Sequence, residues 1–179
     1  MPIVAGDLLW KFSVKTGAAG NSTGGTAAGS LGKYISTTQW AGGVLHDLFD
    51  VISGDENAAS DVEYRCVFIH NNHATLTWQN AVVWLSAQTA GGAAIAIGVD
   101  PAAASAIGSA AAQAAEVATE GDAPAGVAFS APTTKGAGLS LGDIGPGQCR
   151  AIWIRRTAAN TAAQNADGAT LQVEGDTAA

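Results

Sequence analysis

Short runs of alternating apolar and polar residues are the feature that most restricts the fold of this chain. In residues 8–14, LLWKFSV, the large apolar side chains recur at every second position. This is the period of a β-strand, whose successive side chains point to opposite faces of a sheet. Further runs of short, β-branched and aromatic character predict strands at 62–70, 75–78, 81–87, 93–99, 127–130, 138–141, 148–157 and 169–174. Gly, Pro, Asn and Asp separate the runs, so the pattern predicts an all-β antiparallel sandwich, Ig-like or jelly-roll-like.

Three segments depart from the strand pattern. In residues 45–52 the large apolar side chains share one helical face, which predicts a short helical turn. The acidic run 55–61 that follows predicts a turn. Residues 102–126 are rich in Ala but hold few large side chains to bury, so they predict a surface excursion with at most one helical turn.

The chain length and one Gly-rich stretch determine the predicted domain organisation. A length of 179 residues fits one domain that buries a sizeable core. Residues 17–32 are dominated by Gly, Ala, Ser and Thr and have too little apolar surface to order themselves. We therefore predict an N-terminal strand and extended, mobile Gly-rich arm over residues 1–32, followed by a β-sandwich over residues 33–179.

Charge and targeting signals limit the classes of partner. Eight Lys and Arg residues oppose fifteen Asp and Glu residues, and the formal net charge is −7. Such a chain repels phosphate backbones and anionic lipid surfaces, so neither nucleic acid nor a membrane is expected as a partner. Residues 1–15 lack the basic start and apolar core of a secretion signal, and we expect a soluble chain.

The sequence carries few groups that could hold a metal or a cofactor. Cys66, His70 and His73 are close in sequence, but His73 falls in a predicted turn and no fourth ligand is near. The acidic cluster in residues 55–63 does not follow the spacing of a calcium-binding loop. We expect Cys66 and Cys149 to be buried free thiols, and the alternative is a single disulfide between the sheets.

No familiar catalytic motif is present. The sequence contains no Gly-x-Ser-x-Gly elbow, no phosphate-binding loop and no dinucleotide-binding Gly pattern after a strand. We therefore assign no catalytic residue, no metal and no cofactor, and we expect a protein that is not an enzyme.

Aromatic and arginine residues are the candidates for partner contact, and all of them except Trp40, which precedes the predicted helical turn, lie in strand-like runs. Strand Trp residues usually belong to a core, but aromatic side chains on a sheet face also stack on sugars or on a partner subunit. Residues 148–157, QCRAIWIRRT, carry apolar bulk and charge on both faces. A strand of this kind belongs to a sheet that is covered on both sides, and another protein could form the second cover. The candidate contact residues are Trp10, Phe12, Trp40, Arg150, Trp153, Arg155 and Arg156.

Three stretches resemble small virion structural proteins of tailed bacteriophages. They are residues 48–77 (LFDVISGDENAASDVEYRCVFIHNNHATLT), 139–157 (LSLGDIGPGQCRAIWIRRT) and 167–177 (DGATLQVEGDT). The layout is also similar to Ig-like sandwich modules, with a Gly-Pro-Gly bend before a long late strand. The resemblance covers roughly residues 48–177 and carries no catalytic signature.

The resemblance implies a structural role on the virus particle. Proteins of this kind decorate the outside of the capsid, bind the major capsid protein across neighbouring subunits, often as trimers, and strengthen the shell. It implies a virion protein that is made in the cytoplasm of the bacterial host. Two alternatives stay open at this point: a tail or fibre-base component of the particle, and, from a different class, a carbohydrate-binding sandwich module.

Overall fold

Nine strands and three short helical segments make up the described part of the chain, which confirms the predicted all-β antiparallel sandwich. The computed structural model describes residues 2–17 and 23–177. The strands are β1 (Leu8–Val14), β2 (Tyr34–Gln39), β3 (Val62–Asn71), β4 (Trp78–Gln88), β5 (Ala94–Val99), β6 (Ser105–Ala106), β7 (Leu139–Ile144), β8 (Gln148–Thr157) and β9 (Ala169–Thr177). The helical segments are helix α1 (Gly54–Ala59) and 3-10 turns at Ala5–Asp7 and Lys135–Ala137.

The strands form two sheets of unequal size. The larger sheet has the order β2-β1-β3-β8-β5, and β6 also pairs with β8. The smaller sheet has the order β7-β4-β9. All pairings are antiparallel. Because β3 and β8 are central and long, they contain most of the buried residues of the larger sheet.

The main core lies between the two sheets. Alternate residues of β3 and β8 face it, including Val67, Ile69, Ile152 and Ile154, because successive strand side chains point to opposite faces. Trp78 at the start of β4 packs there from the smaller sheet. The side chains of β1 and β9 that contact this core are only partly buried.

A second core lies on the opposite face of the larger sheet. It contains Cys66, Phe68 and Trp153 from β3 and β8, and it is covered by Ala114 and Val117. The double-sided apolar pattern of β8 thus has the predicted second cover, but in this structure that cover is formed by the chain itself. The predicted surface excursion at residues 102–126 supplies much of this layer and contains no helix.

The predicted strands match the observed ones best where alternation is strong. β1 and β8 begin and end where the sequence predicts, and β3, β4, β5, β7 and β9 overlap their predicted runs. Residues 75–77 and 127–129 are not strands, and β2 was not predicted from the sequence. Gln79 and Asn80, which separate the predicted runs 75–78 and 81–87, form an irregularity within β4, where Asn80 has a φ of 50°.

The predicted helical turn at residues 45–52 is wrong. That segment is irregular, and the helix lies at Gly54–Ala59, which overlaps the run 55–61 that predicts a turn. The Ser53 hydroxyl accepts the backbone N–H of Glu56, and the Glu56 carboxylate accepts the backbone N–H of Ser53. This capping box satisfies free N–H groups at the first turn and starts the helix there.

The described part of the Gly-rich stretch lies along the larger sheet. Residues 18–22 are outside the described residues. Further on, the carbonyl of Ser30 accepts the backbone N–H of Cys66 at 2.8 Å, and the Ser13 hydroxyl accepts the backbone N–H of Gly32 at 2.9 Å. Residues 23–32 therefore connect β1 and β2 while remaining hydrogen-bonded to the fold of their own chain.

Candidate binding surface

A cleft of about 900 Å³ lies beside the segment that connects β2 to helix α1. Its walls come from residues 43–54 and 159–169, from the loop before β5, and from the ends of β8 and β9. Loops at the end of a sandwich form such clefts because the strands hold their ends in fixed positions.

The segment 44–51 exposes large apolar side chains at the rim of this cleft. Val44, Leu45 and Val51 are 70%, 62% and 65% exposed, and Val4 at 58% is the other large exposed apolar side chain among the described residues. Single exposed apolar residues are ordinary on a protein surface, but three in one short segment form a patch. We call this patch, which consists of Val44, Leu45 and Val51, the apolar rim.

Arginine and phenylalanine side chains fix the apolar rim to the sandwich. The Arg156 guanidinium donates to the carbonyl of Asp50 and, at 3.1 Å, to its carboxylate, and it also pairs with Glu63. The ring of Phe49 lies 4.8 Å from Arg156 and 5.5 Å from Arg65, within cation–π range of both. Burial raises the pKa of Glu63, although its hydrogen bond with Arg156 acts in the opposite direction.

Three of the predicted contact residues lie together on the larger sheet. Trp10 and Trp40 meet edge to face, with ring centroids 5.8 Å apart, and Phe12 follows on the same face of β1. All three are partly buried against the main core. The Trp40 indole N–H donates to the Asp47 carboxylate at 2.9 Å, which ties this aromatic group to the segment that carries the apolar rim.

The four predicted contact residues on β8 are not brought together on one surface. Trp153 and Arg156 are buried within the chain, and the Trp153 indole donates to Asp100 at 2.9 Å. Arg150 donates to a backbone carbonyl, and Arg155 stacks over the ring of Phe129. Arg150 and Arg156 are six residues apart on one strand, a separation of about 20 Å.

The tryptophan residues do not form a sugar-stacking platform. Trp78, Trp84 and Trp153 are buried, and Trp10 and Trp40 are partly buried. A module that stacks on sugars presents an aromatic face to solvent. The carbohydrate-binding alternative therefore gains no support from the positions of these residues.

The cysteines confirm the prediction of buried free thiols. Cys66 lies opposite Trp153, and Cys149 lies opposite His70, four residues further along β3. That offset separates the two cysteines by about 13 Å along the strands, whereas a disulfide needs Cα atoms within about 7 Å. Burial raises the pKa of Cys149 to about 12 and that of Cys66 well above its usual value.

His70 and His73 take structural positions. Nδ1 of His73 accepts the backbone N–H groups of Thr75 and Leu76 in the turn after β3. His70 is buried on β3, and this burial, with the charge of Lys11, lowers its pKa to about 4. Within residues 2–17 and 23–177, no three His, Cys, Asp or Glu side chains are grouped so that they could hold a metal ion.

Sequence reasoning missed the apolar rim. The spacing of the large apolar residues in 45–52 predicts that they share one helical face. In the irregular segment that forms instead, Leu48 and Phe49 pack on the main core and Leu45 is exposed. Two signals in the sequence point to an exposed segment instead. Gly42 and Gly43 precede the run, and both adopt positive φ angles that break regular structure. The capping box described above follows the run.

In the part of the chain that the structure describes, no helix is long and apolar enough to cross a membrane. No protein-family model, curated protein or solved structure matches the chain.

Proposed function

We propose that this protein is a non-enzymatic structural component of a bacteriophage virion that decorates and stabilises the outside of the capsid. Its partner is the major capsid protein, which it binds across neighbouring subunits, and the bound protein associates with further copies of itself. The resemblance of residues 48–177 to small virion proteins supports this role. The apolar rim, exposed on a rigid two-sheet body, is the observation that carries the proposal.

The apolar rim suits attachment to a large assembly. Arg156 and Phe49 hold the segment in place, so little conformational entropy is lost when the rim contacts a partner. Each copy needs only a modest affinity, because many copies bound across subunit boundaries together stabilise the assembled shell by mass action.

Locating the protein in intact particles tests the proposal. Antibody labelling in electron micrographs is expected to decorate the capsid exterior, and removal of the protein is expected to lower the temperature at which the shells break. Labelling confined to tails would favour the tail or fibre-base alternative. Absence of the protein from particles would contradict both roles.

A pair of matched substitutions tests the apolar rim. Val51→Asp places a charge in the rim, whereas Val4→Asp places one on a similarly exposed valine elsewhere on the surface. We expect Val51→Asp to weaken capsid binding by about tenfold or more, because a buried carboxylate without a partner is unfavourable, and Val4→Asp to bind normally. Equal binding of the two variants would remove the rim from the interface.

A further inference from the structure

The β5 edge of the larger sheet is closed by hydrogen bonds from the chain itself. The Gln88 side chain accepts the backbone N–H of Ile95 and donates to its carbonyl, at 3.1 Å in each case. Ile97 exchanges backbone hydrogen bonds with Ser130 at 2.8 and 3.0 Å. The outward backbone groups at these two positions of β5 are therefore satisfied and do not invite another strand.

The β2 edge of the same sheet is closed in a similar way. The backbone N–H of Ile35 donates to the side-chain oxygen of Gln113 at 3.1 Å. The backbone N–H of Thr37 donates to the carbonyl of Thr23 at 3.2 Å. Both outer strands of the larger sheet are thus protected by segments of the same chain.

The β9 edge of the smaller sheet is open. β9 has nine residues and, within the described chain, pairs only with β4. On β4, Leu85 lies opposite Leu171 of β9. The backbone N–H of Leu85 donates to the carbonyl of Pro132, so it points away from β9. Because antiparallel strands alternate bonded and non-bonded pairs, the backbone N–H and carbonyl groups of Leu171 and Val173 point outward from the sheet.

β9 carries two acidic residues but lacks other features that usually protect an edge. It contains no Pro, Lys or Arg, and its residues alternate between partly buried and exposed along the full strand. The other edge of the smaller sheet, β7, has six residues. Register shifts interrupt the pairing of both β7 and β9 with β4, but residues 171–174 of β9 pair with residues 82–85 of β4 without interruption. Among the described residues, β9 is therefore the longer of the two edges of the smaller sheet, and residues 171–174 are its regular part.

We propose that the free edge of β9 binds an extended segment of a partner protein as an additional strand, with Lys or Arg at alternate positions of that segment. Glu174 and Asp176 project from the exposed face of β9. Lys135 of the same chain pairs with Glu174, which shows that a basic side chain can be placed on this face. A strand with basic side chains on this face complements the two carboxylates. A second copy of the chain brings a net charge of −7 and the same acidic face, which disfavours self-pairing.

The position of β9 also predicts which side chains the partner segment carries on its other face. Ala169 and Leu171 line the cleft that carries the apolar rim. A segment beside β9 directs its alternate side chains toward that cleft, so these are expected to be apolar. This inference rests on the proposed function only for the identity of the partner as a coat subunit; the pairing chemistry holds for any protein with such a segment.

Amide hydrogen exchange of the full chain tests the β9 edge directly. The probe is a nine-residue peptide, matching the length of β9, in which Val and Lys alternate, and the control peptide has Glu in place of Lys. We expect the Val–Lys peptide to slow exchange at Leu171 and Val173 by about tenfold or more, with little change at Gln172, which is already bonded to β4. The Glu peptide is expected to have no effect.

Two results would overturn the inference. One is unchanged exchange at Leu171 and Val173 with saturating Val–Lys peptide. The other is slowing without peptide that grows with protein concentration, which would identify a second copy as the occupant. Neither result depends on where the protein lies in a virus particle, so failure of the edge and failure of the decoration role are separately visible.

A substitution in β9 adds a second readout. Val173→Pro removes an outward N–H without removing a bond to β4, and Pro is tolerated at such edge positions. Val173→Ala retains the N–H and controls for lost side-chain volume. We expect Val173→Pro to weaken binding of the Val–Lys peptide by about tenfold, as for one lost hydrogen bond, and Val173→Ala to bind almost normally. Equal affinities in two folded variants contradict the edge site, and if Val173→Pro is unfolded, the exchange experiment decides.

Discussion

At the scale of single residues, burial of His70 makes the stability of the fold depend on pH. Its pKa is about 4 in the folded chain and 6.5 in a free side chain. The unfolded state therefore takes up a proton first as the pH falls. The contribution of neutral His70 to the free energy of unfolding is complete above pH 6.5, and it declines as the pH falls to about 4.

We expect the free energy of unfolding to fall by about 2 kcal/mol between pH 7.5 and pH 5 because of this histidine. Urea unfolding at the two pH values measures the change. His70→Phe keeps a ring of similar size without a titratable nitrogen, and it should lose that part of the pH dependence. An identical pH dependence in the two proteins would show that another group is responsible.

Asp100 is the residue that ties the second core together. It is buried, and its carboxylate accepts hydrogen bonds from the Trp153 indole and from the backbone N–H groups of Ala102 and Ala115. Asp100→Ala leaves these donors without a partner, and we expect it to lower the free energy of unfolding by about 3 kcal/mol. Asp100→Asn keeps one acceptor oxygen and should cost less. Urea unfolding of the two variants measures the order, and equal losses would contradict this role.

At the scale of elements, alternation predicts the strands that carry large apolar residues and misses those that do not. β1 and β8 alternate bulky side chains, so their bounds are visible in the sequence. β2, YISTTQ, contains one aliphatic residue, Ile35, and its strand conformation depends on pairing with β1. The order of the strands and the fold of residues 102–126 over the larger sheet depend on distant contacts, which sequence periodicity does not contain.

Close backbone packing between two connecting segments is the clearest of these distant contacts. At Gly32, where φ is 91°, an added Cβ would lie 1.9 Å from the carbonyl oxygen of Ala115 and 2.9 Å from the Trp153 ring. We expect Gly32→Ala to lower the free energy of unfolding by about 3 kcal/mol, since backbone strain and a steric clash act together.

A second glycine separates these two effects. Gly43 also has a positive φ, of 77°, but an added Cβ there meets no atom within 4 Å. Gly43→Ala should therefore show backbone strain alone, about 1 kcal/mol. Thermal or urea unfolding of both variants measures the difference. Losses of equal size would mean that residues 113–117 move aside without cost.

At the scale of the whole molecule, the candidate binding surface combines features that differ in how well the sequence reveals them. The sequence identifies Trp10 and Phe12 as aromatic residues of a predicted strand and Trp40 as an aromatic residue before the predicted helical turn, and the fold brings the three together. The burial of Trp153 depends on a second layer that only the folded chain reveals. In the described part of the chain, no other segment covers the apolar rim or pairs with the outer edge of β9. Which surfaces remain uncovered depends on the arrangement of both sheets, so the sequence pattern does not reveal them.

For the N-terminal region, the sequence and the structure lead to opposite expectations about the effect of a deletion. From the sequence, deletion of residues 1–32 removes an arm and leaves the sandwich folded. In the structure, β1 pairs with both β2 and β3, and Trp10 and Phe12 pack on the main core. Deletion separates β2 from its sheet and exposes apolar surface, so we expect the cooperative thermal transition to disappear. A deletion that stops before Ile3 retains β1 and should melt nearly as the full chain does. Circular dichroism with heating compares the three proteins, and a cooperative transition without residues 1–32 would mean that the rest of the sandwich folds independently of β1.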